Sequence, residues 1–439
     1  MPISALLFVG SFFACSVLAM VRHPKYGIAA YLIAFYGFPP SRWWGPALPD
    51  WRWSLIASAI TLVAVWKYPR NPAQPSWLTT TPARLLILLT AWIWLQNLWA
   101  LDAEEALSMS FLYTKFIVLF YLVYRTSDSE DNIEWFLMLH VAGCFYLGLV
   151  AYATPVSGRL DGVGGPGIDD SNILSLHLVT GALCGAMLVL VKRDWKLYFS
   201  VLALAFTLNT IVLCASRGAF LALVGGCIVL NFTKPEQYRR RFYLLAALGI
   251  SLFAVVASAS FWSRMNSLKE AAAGNEQLDN SAEGRLALIK AQWSMAALYP
   301  FGNGHRGTVV LSRTFLDKKY LTGGEEANGA RSSHNTTMTV LVEQGIPGAV
   351  MFVVFIVWCR KASRRIASRR GSLSSTSASQ LASISAALLS VLIAGMFVDC
   401  MLVEVQFWLL AMLASMDAMA RQQFPAIAPA EVAAPAPAR

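Results

Sequence analysis

Long apolar runs separated by short polar breaks follow one another along most of the chain. A helix needs about 20 apolar residues to cross a bilayer. Backbone groups in lipid must be paired within their own segment, and the runs are not spaced as alternating ten-residue strands, so each run predicts a helix. The pattern predicts an all-α, polytopic helical membrane protein with about 12 or 13 transmembrane helices, at about 3–21, 26–39, 52–67, 84–101, 106–124, 133–154, 171–191, 197–215, 219–232, 242–262, 335–359, 380–398 and 401–419.

One long polar segment divides these spans into two groups. Residues 1–262 contain the first ten spans, and residues 263–333 form a large loop. Residues 334–420 contain the C-terminal spans. The Ala/Pro-rich stretch 421–439 shows no helical periodicity, which predicts a disordered cytoplasmic tail.

Composition supports a membrane environment and argues against a nucleic-acid-binding protein. The chain is 56% hydrophobic and 14% charged, whereas about a quarter of the residues are charged in soluble domains. Its net charge of +10 comes from short basic clusters between apolar runs. Such clusters indicate topology and do not form a binding face for nucleic acid. Membrane lipids are therefore the expected surroundings, and nucleic acid is not an expected partner.

The distribution of Lys and Arg between alternate loops predicts the orientation, because cytoplasmic loops are enriched in these residues. One set of loops has 19 Lys and Arg, and the other set of short loops has four, at Arg42, Arg52, Arg159 and Arg217. The richer set is therefore cytoplasmic, and the large loop faces the other side. We expect a multi-pass membrane protein whose functional face is extracytoplasmic, which in the family resembled below is the periplasmic face of the bacterial inner membrane.

The first polar signature on this outer face is Ser216-Arg217-Gly218, a short break between two apolar runs. An arginine with so little loop around it must lie at the membrane boundary. It either pairs with lipid headgroups or has a function, since ionisable groups at membrane depth are energetically costly.

The second signature lies in the large loop and begins with Gly284-Arg285. Leu286, Ile289 and Trp293 recur at helical spacing, which predicts an amphipathic helix on the outer surface with Arg285 in its first turn. This helix is either a simple membrane-surface helix or part of a site. Its end is predicted by Pro300, Gly302 and Gly304.

The third signature is Arg331-Ser-Ser-His334-Asn335, where the loop re-enters the membrane. His334 is one of five histidines and lies where a proton acceptor could meet both lipid and water, although a single interfacial histidine is more often structural. Glu343 lies nine residues further on, about 13 Å deeper along a helix and on another side of it. We expect Glu343 to support helix packing.

Taken together, these three signatures resemble the Wzy_C signature. It is shared by O-antigen ligases, O-antigen polymerases and some protein O-glycosylation ligases. The resemblance covers about 210–350, and the order, loop placement and sidedness of the motifs agree with it. The first 100 residues also faintly resemble the putative O-glycosylation ligases found with exosortase systems. The resemblance implies a GT-C-like membrane fold.

The resemblance also implies a reaction. The donor would be a glycan linked through diphosphate to undecaprenol, and the acceptor a hydroxyl group of a lipid A-core sugar or of a protein. Arg217 and Arg285 would bind the diphosphate, because guanidinium groups match phosphate oxygens bidentately. His334 would be the general base, and attack on the anomeric carbon would invert its configuration. Ser216, Gly218, Asn335, Gly302 and Gly304 would support the site.

Three further cations are candidates for donor binding, namely Lys115, Arg159 and Arg331. Lys115 lies near the middle of an apolar run, where a charge must pair, line a cavity or extend to the interface. Asp169-Asp170 precedes an apolar run, and its simplest interpretation is a helix N-terminus capped by Asp170 or Ser171.

No metal site and no cofactor is expected. All seven cysteines lie in or beside apolar segments without CxxC spacing, and the chain shows no Cys/His cluster. Apart from Asp169-Asp170, the outer face has no DxD-like sequence. We therefore favour a metal-independent transfer.

Three other functions are alternatives to a ligase. A polymerase joining repeat units would use the same chemistry and differ only in its acceptor. A transporter or flippase for lipid-linked sugars would need ionisable residues deep in several spans or paired discontinuous helices, and only Lys115 fits that pattern. A non-enzymatic scaffold does not explain why Arg217, Arg285 and His334 share one side.

Overall fold

The computed structural model describes residues 1–154, 159–256, 280–321, 329–369 and 373–423. The predicted tail beyond residue 423, the loop segments 257–279 and 322–328, and Arg370 of the last basic cluster lie outside the described residues. Within the described ranges the regular structure is helical and there is no strand. This confirms the all-α, polytopic class predicted from the sequence.

Each predicted apolar run corresponds to one helix, except that the run 335–359 is divided into two, and the loop adds two more. The sixteen α-helices of the described ranges are α1 Ile3–Val21, α2 Lys25–Gly37, α3 Trp53–Lys67, α4 Thr81–Gln96, α5 Ala103–Thr126, α6 Glu130–Ala153, α7 Ser171–Val191, α8 Trp195–Cys214, α9 Arg217–Thr233, α10 Arg239–Val256, α11 Asn280–Leu298, α12 Gly307–Phe315, α13 Thr336–Glu343, α14 Gly345–Ala367, α15 Ser375–Ala394 and α16 Val405–Gln423.

The number of full-length crossings is smaller than the number of apolar runs. Among the described helices seven are long and apolar enough to span a membrane, or up to eight if α9 and α10, which meet at a bend of 119°, form one span. Helices α2, α3 and α4 have 13, 15 and 16 residues. At about 1.5 Å per residue they are shorter than the hydrocarbon core of roughly 30 Å. The predicted 12 or 13 spans exceed this count because α2, α3 and α4 are short, α9 and α10 form at most one span, and α16 is not among the seven.

Helix α7 is the centre of the membrane bundle. Its side chains are buried along nearly the whole length, and it packs against α6, α8, α9 and α15. A helix that is apolar on every side belongs inside a bundle rather than at its lipid surface. The outer end of α7 is consequently surrounded by the outer ends of other helices.

A second, smaller apolar core lies in the large loop. It joins α11, α12 and α13 through the buried side chains of Leu288, Met295, Leu311 and Val342. Leu286 and Trp293, on another face of α11, are exposed. Helix α11 therefore packs one face on protein and leaves the predicted apolar stripe available to the membrane surface.

Ion pairs join helices at the end of the bundle that carries the Lys/Arg-rich loops. The carboxylate of Glu134 on α6 pairs with Lys192 and Lys196, which flank the α7–α8 connection. Arg365 on α14 pairs with Asp417 on α16, with an N–O distance of 2.9 Å. These contacts place members of the Lys/Arg-rich set together on one face, opposite the three polar signatures.

Candidate functional site

The break between α8 and α9 carries the first signature. Ala215 adopts a left-handed conformation with φ of 45°, and Ser216 then caps α9 by accepting from the amide of Ala219 at 3.4 Å. The Ser216 hydroxyl donates to Asn172 Oδ1 at 3.0 Å, which ties α9 to the outer end of α7. Arg217 is the first residue of α9 and is half-buried. Its backbone position is thus fixed by its neighbours.

Gly218 and Arg159 have structural explanations at the same break. A Cβ atom on Gly218 would lie 2.7 Å from Cβ of Phe397, so only glycine fits there without a shift. Arg159 donates from Nε to the carbonyl oxygen of Cys214 at 3.0 Å and thereby satisfies a backbone acceptor at the end of α8.

The second and third signatures are packed together. A Cβ atom on Gly284 would lie 2.5 Å from Nη1 of Arg331, so the guanidinium lies directly over the glycine. Arg331 Nη1 also donates to the carbonyl oxygen of Tyr320 at 2.8 Å. Gln292 of α11 donates to the Ser333 hydroxyl at 2.9 Å. These contacts bring the second turn of α11 beside the segment that carries His334. Arg285 lies in this turn and not in the first as predicted, because the helix already begins at Asn280.

The segment around His334 is held from its other side by the loop between α15 and α16. Asn335 caps α13 by accepting from the amide of Met338 at 3.1 Å. Thr336 donates from its hydroxyl to the carbonyl oxygen of Val398 at 2.9 Å and accepts from the amide of Cys400 at 2.8 Å. His334 is therefore held between α11 and this loop.

The glycine-rich end of the second signature makes a close backbone contact with the break between α13 and α14. Gly302, Gly304 and Gly345 have φ values of 77°, 83° and 66°, a region that favours glycine. A Cβ atom on Gly302 would lie 2.4 Å from the carbonyl oxygen of Glu343. The amide of Gly304 donates to that same oxygen at 3.1 Å. The next residue, His305, is thus brought beside Glu343.

These elements enclose a cavity of about 630 Å³. Its wall combines residues from the 329–334 segment, the start of α12, the end of α13, the α15–α16 loop and the outer end of α7. The side chains that carry its chemistry are His305, Arg306, Arg313, His334, Glu343 and Asp399. Asp170, which caps α7 by accepting from the amides of Asn172 and Ile173, completes it.

His305 and Glu343 form a pair in this cavity, with 3.2 Å between Nδ1 and the carboxylate. Burial lowers the pKa of His305, but the hydrogen bond and charge of Glu343 outweigh burial, so the pKa lies above its ordinary value. Burial also raises the pKa of Asp399 to about 7, and the charge of Glu343 adds to that shift. The floor of the cavity thus contains groups that exchange protons near neutral pH.

His334 has the opposite electrostatic environment. Partial desolvation, followed by the positive charges of Arg285 and Arg331, lowers its pKa below the ordinary value, while Asp170 opposes them. A neutral imidazole near neutral pH is the protonation state that a general base requires. His305 tends towards the cation and His334 towards the neutral form, although both line one cavity.

The structure groups some of the predicted cations and separates others. Arg285, Arg331 and His334 interact electrostatically, and Ser216 links Arg217 to the outer end of α7. The residues that line the cavity include none of the predicted cations Arg217, Arg285, Arg331, Arg159 and Lys115. Lys115 is exposed on α5, and Arg159 is bound to the end of α8.

Sequence reasoning missed His305 and Asp399 and assigned Glu343 to helix packing. The structure corrects the last point, because Glu343 lines the same cavity as His334. The sequence contains a signal for His305, because this residue directly follows the Gly302-Asn303-Gly304 end of the second signature. Asp399 carried no local signal beyond being an acid between two apolar runs.

The expectation that the chain has no Cys/His cluster is wrong. His140, Cys144 and His177 lie together inside the bundle, with their candidate ligand atoms all within 4.8 Å of one another. His140 and Cys144 are four residues apart on α6, so they share one face of the helix. The spacing of His140 and Cys144 is a signal that the sequence contains. His177 belongs to α7, and only the packing of α7 on α6 brings it close to these two residues.

Comparison with known families agrees with the signatures. Residues 200–353 match the Wzy_C family model, described as O-antigen ligase. The matched segment begins in α8, ends in α14 and includes Arg217, Arg285, His305, His334 and Glu343. No curated protein matches the chain. The match confirms the resemblance to the O-antigen ligase/polymerase superfamily and supports a multi-pass bacterial membrane protein with glycosyltransferase-type activity.

Proposed function

We propose that this chain, which matches the O-antigen ligase family model over residues 200–353, is an O-antigen ligase-type glycosyltransferase of the inner membrane. It transfers a glycan from undecaprenyl diphosphate to an acceptor hydroxyl group at the periplasmic face. The acceptor is a lipid A-core sugar or a protein. Transfer inverts the anomeric centre and needs no metal ion in the outer cavity.

The observation that carries this proposal is the position of His334, which lines the cavity close to the guanidinium groups of Arg285 and Arg331. Its pKa lies below the ordinary value because of partial desolvation and two nearby guanidinium groups. A protonated imidazole close to guanidinium groups is unfavourable, because like charges repel at close range. A bound anion would offset this repulsion. A diphosphate bound to Arg285 and Arg331 would supply that anion.

The donor's diphosphate is the group that the cations suit. Guanidinium groups bind phosphate oxygens through paired hydrogen bonds, and in a cavity of low dielectric they stabilise the charge that develops on a leaving diphosphate. Arg285 and Arg217 are assigned to this role, with Arg331 beside them. Arg306 and Arg313 in the cavity wall add positive charge.

The reaction then follows from the positions of the base and the cations. His334 accepts the proton of the acceptor hydroxyl as the hydroxyl oxygen attacks the anomeric carbon. The bond between that carbon and the diphosphate oxygen breaks, and undecaprenyl diphosphate leaves with both electrons of the bond. Attack from the face opposite the leaving group inverts the configuration.

Transfer by the purified full-length protein tests the proposal. The protein in detergent is mixed with a lipid-diphosphate glycan and either a lipid A-core or a protein acceptor, without added Mg²⁺ or Mn²⁺. We expect a glycosylated acceptor and released undecaprenyl diphosphate. His334→Ala and Arg285→Ala should each lower the rate by about 10² or more, as the loss of a general base or of a charge-stabilising donor does.

Two variants on the opposite face serve as matched controls. His23 lies between α1 and α2, and its Nδ1 accepts from the amide of Lys25, so His23→Ala removes an imidazole far from the cavity. Arg239→Ala removes an exposed guanidinium on the cytoplasmic side. Both should transfer at the wild-type rate. Full transfer by His334→Ala or Arg285→Ala would overturn the assigned site.

The glycans of a deletion strain distinguish ligase from polymerase. Loss of all attached polymer from the cell surface agrees with the ligase. A single repeat unit remaining on the anchor would instead identify a polymerase, and the proposed acceptor would then be wrong.

A further inference from the structure

A cluster of metal-binding side chains is enclosed where α2, α6 and α7 meet, away from the outer cavity. It consists of Tyr36 on α2, His140 and Cys144 on α6, and His177 on α7, none of them more than 3% exposed. The outer cavity does not include any of these residues. The cluster is therefore separate from the site proposed for glycan transfer.

The phenol oxygen of Tyr36 lies at the centre of the cluster. It is 2.5 Å from Nδ1 of His140, 2.8 Å from Nε2 of His177 and 4.0 Å from the sulfur of Cys144. Candidate ligand atoms of His140, Cys144 and His177 all lie within 4.8 Å of one another. In a tetrahedral zinc site the donor atoms are about 3.3–3.6 Å apart, given metal–ligand bonds of about 2.0–2.3 Å. Side-chain shifts of roughly an ångström would therefore close these groups around one ion.

The hydrogen bonds of Thr180 determine which nitrogen of His140 carries the proton. The Thr180 hydroxyl donates to the carbonyl oxygen of His177 at 2.7 Å, so its single proton is already used. The 2.9 Å contact between Thr180 and Nε2 of His140 must then be a bond donated by the imidazole. Nδ1 of His140 consequently has its lone pair directed at the centre. A hydrogen bond that fixes the tautomer in this way typically accompanies metal-binding histidines.

His177 can present a lone pair to the same centre at the loss of a single hydrogen bond, the one to Tyr36. Its Nδ1 is buried and has no hydrogen-bond partner. Without a metal ion, the Tyr36 hydroxyl donates to His140, so His177 must donate to Tyr36 from Nε2. Moving that proton to Nδ1 breaks only the bond to Tyr36, which a metal ion would replace.

Two glycines make room for the donors. A Cβ atom on Gly143 would lie 2.1 Å from the ring of Tyr36, and one on Gly181 would lie 2.3 Å from the sulfur of Cys144. Both glycines are inside helices, where glycine is destabilising by about 0.5–1 kcal/mol relative to alanine. Each is needed for the phenol or the thiol to reach the centre.

We propose that Tyr36, His140, Cys144 and His177 form a structural binding site for one divalent d-block cation of the zinc class, linking α2, α6 and α7 inside the membrane bundle. Two imidazoles and a thiolate are the ligand types that such ions prefer, whereas Mg²⁺ and Ca²⁺ prefer oxygen. The phenolate oxygen is the fourth ligand. Binding forms four metal–ligand bonds and releases two protons, one from the thiol and one from the phenol.

Charge supports this ligand set. A divalent ion with one thiolate and one phenolate has no net charge, and burying an uncompensated charge in an apolar bundle is costly. The two neutral imidazoles complete the coordination without adding charge. A site with four neutral ligands would leave two positive charges in the interior.

Cobalt binding by the purified full-length protein tests the proposal directly. Protein dialysed against a chelator is titrated with Co²⁺ and then with Zn²⁺. We expect one Co²⁺ per chain, the visible absorption of a tetrahedral site, a thiolate-to-cobalt charge-transfer band, release of about two protons per ion, and displacement by Zn²⁺. No saturable binding by the wild-type protein would overturn the proposal and leave a hydrogen-bonded cluster only.

Variants identify the ligands. Cys144→Ala should lose the charge-transfer band, and Tyr36→Phe, which keeps the ring and hence the packing, should bind Co²⁺ at least tenfold more weakly. Cys184→Ala is the matched control, because Cys184 is equally buried on α7 but is not part of the cluster; its titration should equal the wild type. An unchanged charge-transfer band in Cys144→Ala, or unchanged affinity in Tyr36→Phe, would contradict the proposed ligand set. Because metal binding is measured without any glycan, its failure is separate from failure of the proposed transferase function.

Discussion

The outer cavity and the buried cluster each contain two histidines, but their surroundings differ. In the cavity, His305 and His334 face charged groups, namely the carboxylate of Glu343 and the guanidinium of Arg285. In the cluster, His140 and His177 face hydroxyl groups and the ring of Trp408, at centroid distances of 5.9 and 5.7 Å. One region reaches water, and the other is sealed by apolar helices.

Because their surroundings differ, the histidine side chains of the two regions suit different chemistry. An imidazole that contacts water and charged groups can exchange protons, and its neighbours decide which form prevails. An imidazole sealed in a bundle has only the partners that packing provides, so its lone pair is held at a fixed point. The cavity histidines therefore suit catalysis, and the bundle histidines suit structure.

The largest expected effect separates the two regions directly. His334→Ala should lower transfer by about 10² or more and leave thermal stability unchanged. His177→Ala should lower the free energy of unfolding by about 2–4 kcal/mol, because it removes a buried side chain and its hydrogen bond, while transfer per folded molecule is retained. Transfer rates and unfolding curves in the same detergent check both. Equal losses of transfer in the two variants would contradict the comparison.

A glycine substitution tests whether the cavity depends on close backbone packing. Gly302→Ala places a Cβ atom 2.4 Å from the carbonyl oxygen of Glu343, at a φ of 77°. We expect a loss of about 2–3 kcal/mol in the free energy of unfolding, from backbone strain and steric overlap. Gly10→Ala is the matched control, because nothing lies within 4 Å of its added Cβ. A loss in Gly10→Ala as large as in Gly302→Ala would show that the contact is unimportant.

The pair His305–Glu343 should contribute a smaller effect that depends on pH. Glu343→Gln removes the charge that keeps the pKa of His305 above its ordinary value. We expect transfer to depend on the His305 cation, so it should decline at alkaline pH, and in Glu343→Gln this decline should begin at a lower pH. We expect a rate about tenfold lower at neutral pH, the equivalent of one charge-assisted hydrogen bond. The pH profile of transfer measures this shift, and Glu236→Gln, an exposed carboxylate beside Arg239, should leave the profile unchanged.

A further expected effect concerns the pH dependence of stability and Asp399. Its pKa is 3.8 in the unfolded reference and about 7 in the folded protein, so the folded state holds a proton that the unfolded state has lost between these values. Stability should therefore fall as pH rises from about 4 to about 7. Asp399→Asn should flatten this dependence in unfolding curves measured across that range. The control is Asp50→Asn, an exposed carboxylate, and an unchanged slope in Asp399→Asn would exclude the proposed origin.

Much of the fold could be predicted because its signals are local. Each apolar run fixes a helix, since lipid leaves no other way to pair the backbone. The basic residues predict the orientation, and the Ser-Arg-Gly, Gly-Arg and His-Asn sequences mark where polar groups interrupt the apolar pattern. The predicted amphipathic helix corresponds to α11, which starts at Asn280 and ends at Leu298.

The arrangement of the side chains required the tertiary structure. Hydropathy marks an apolar run but does not decide whether a short run crosses the whole membrane, as for α2, α3 and α4. The sequence suggests Lys115 for donor binding, yet Lys115 is exposed on α5 and does not line the cavity. Asp399 and His305 come from segments almost 100 residues apart, and the buried cluster draws on three helices. Contacts between side chains so far apart in the sequence depend on how distant helices pack. The local hydrophobic periodicity of a sequence contains no information about that packing.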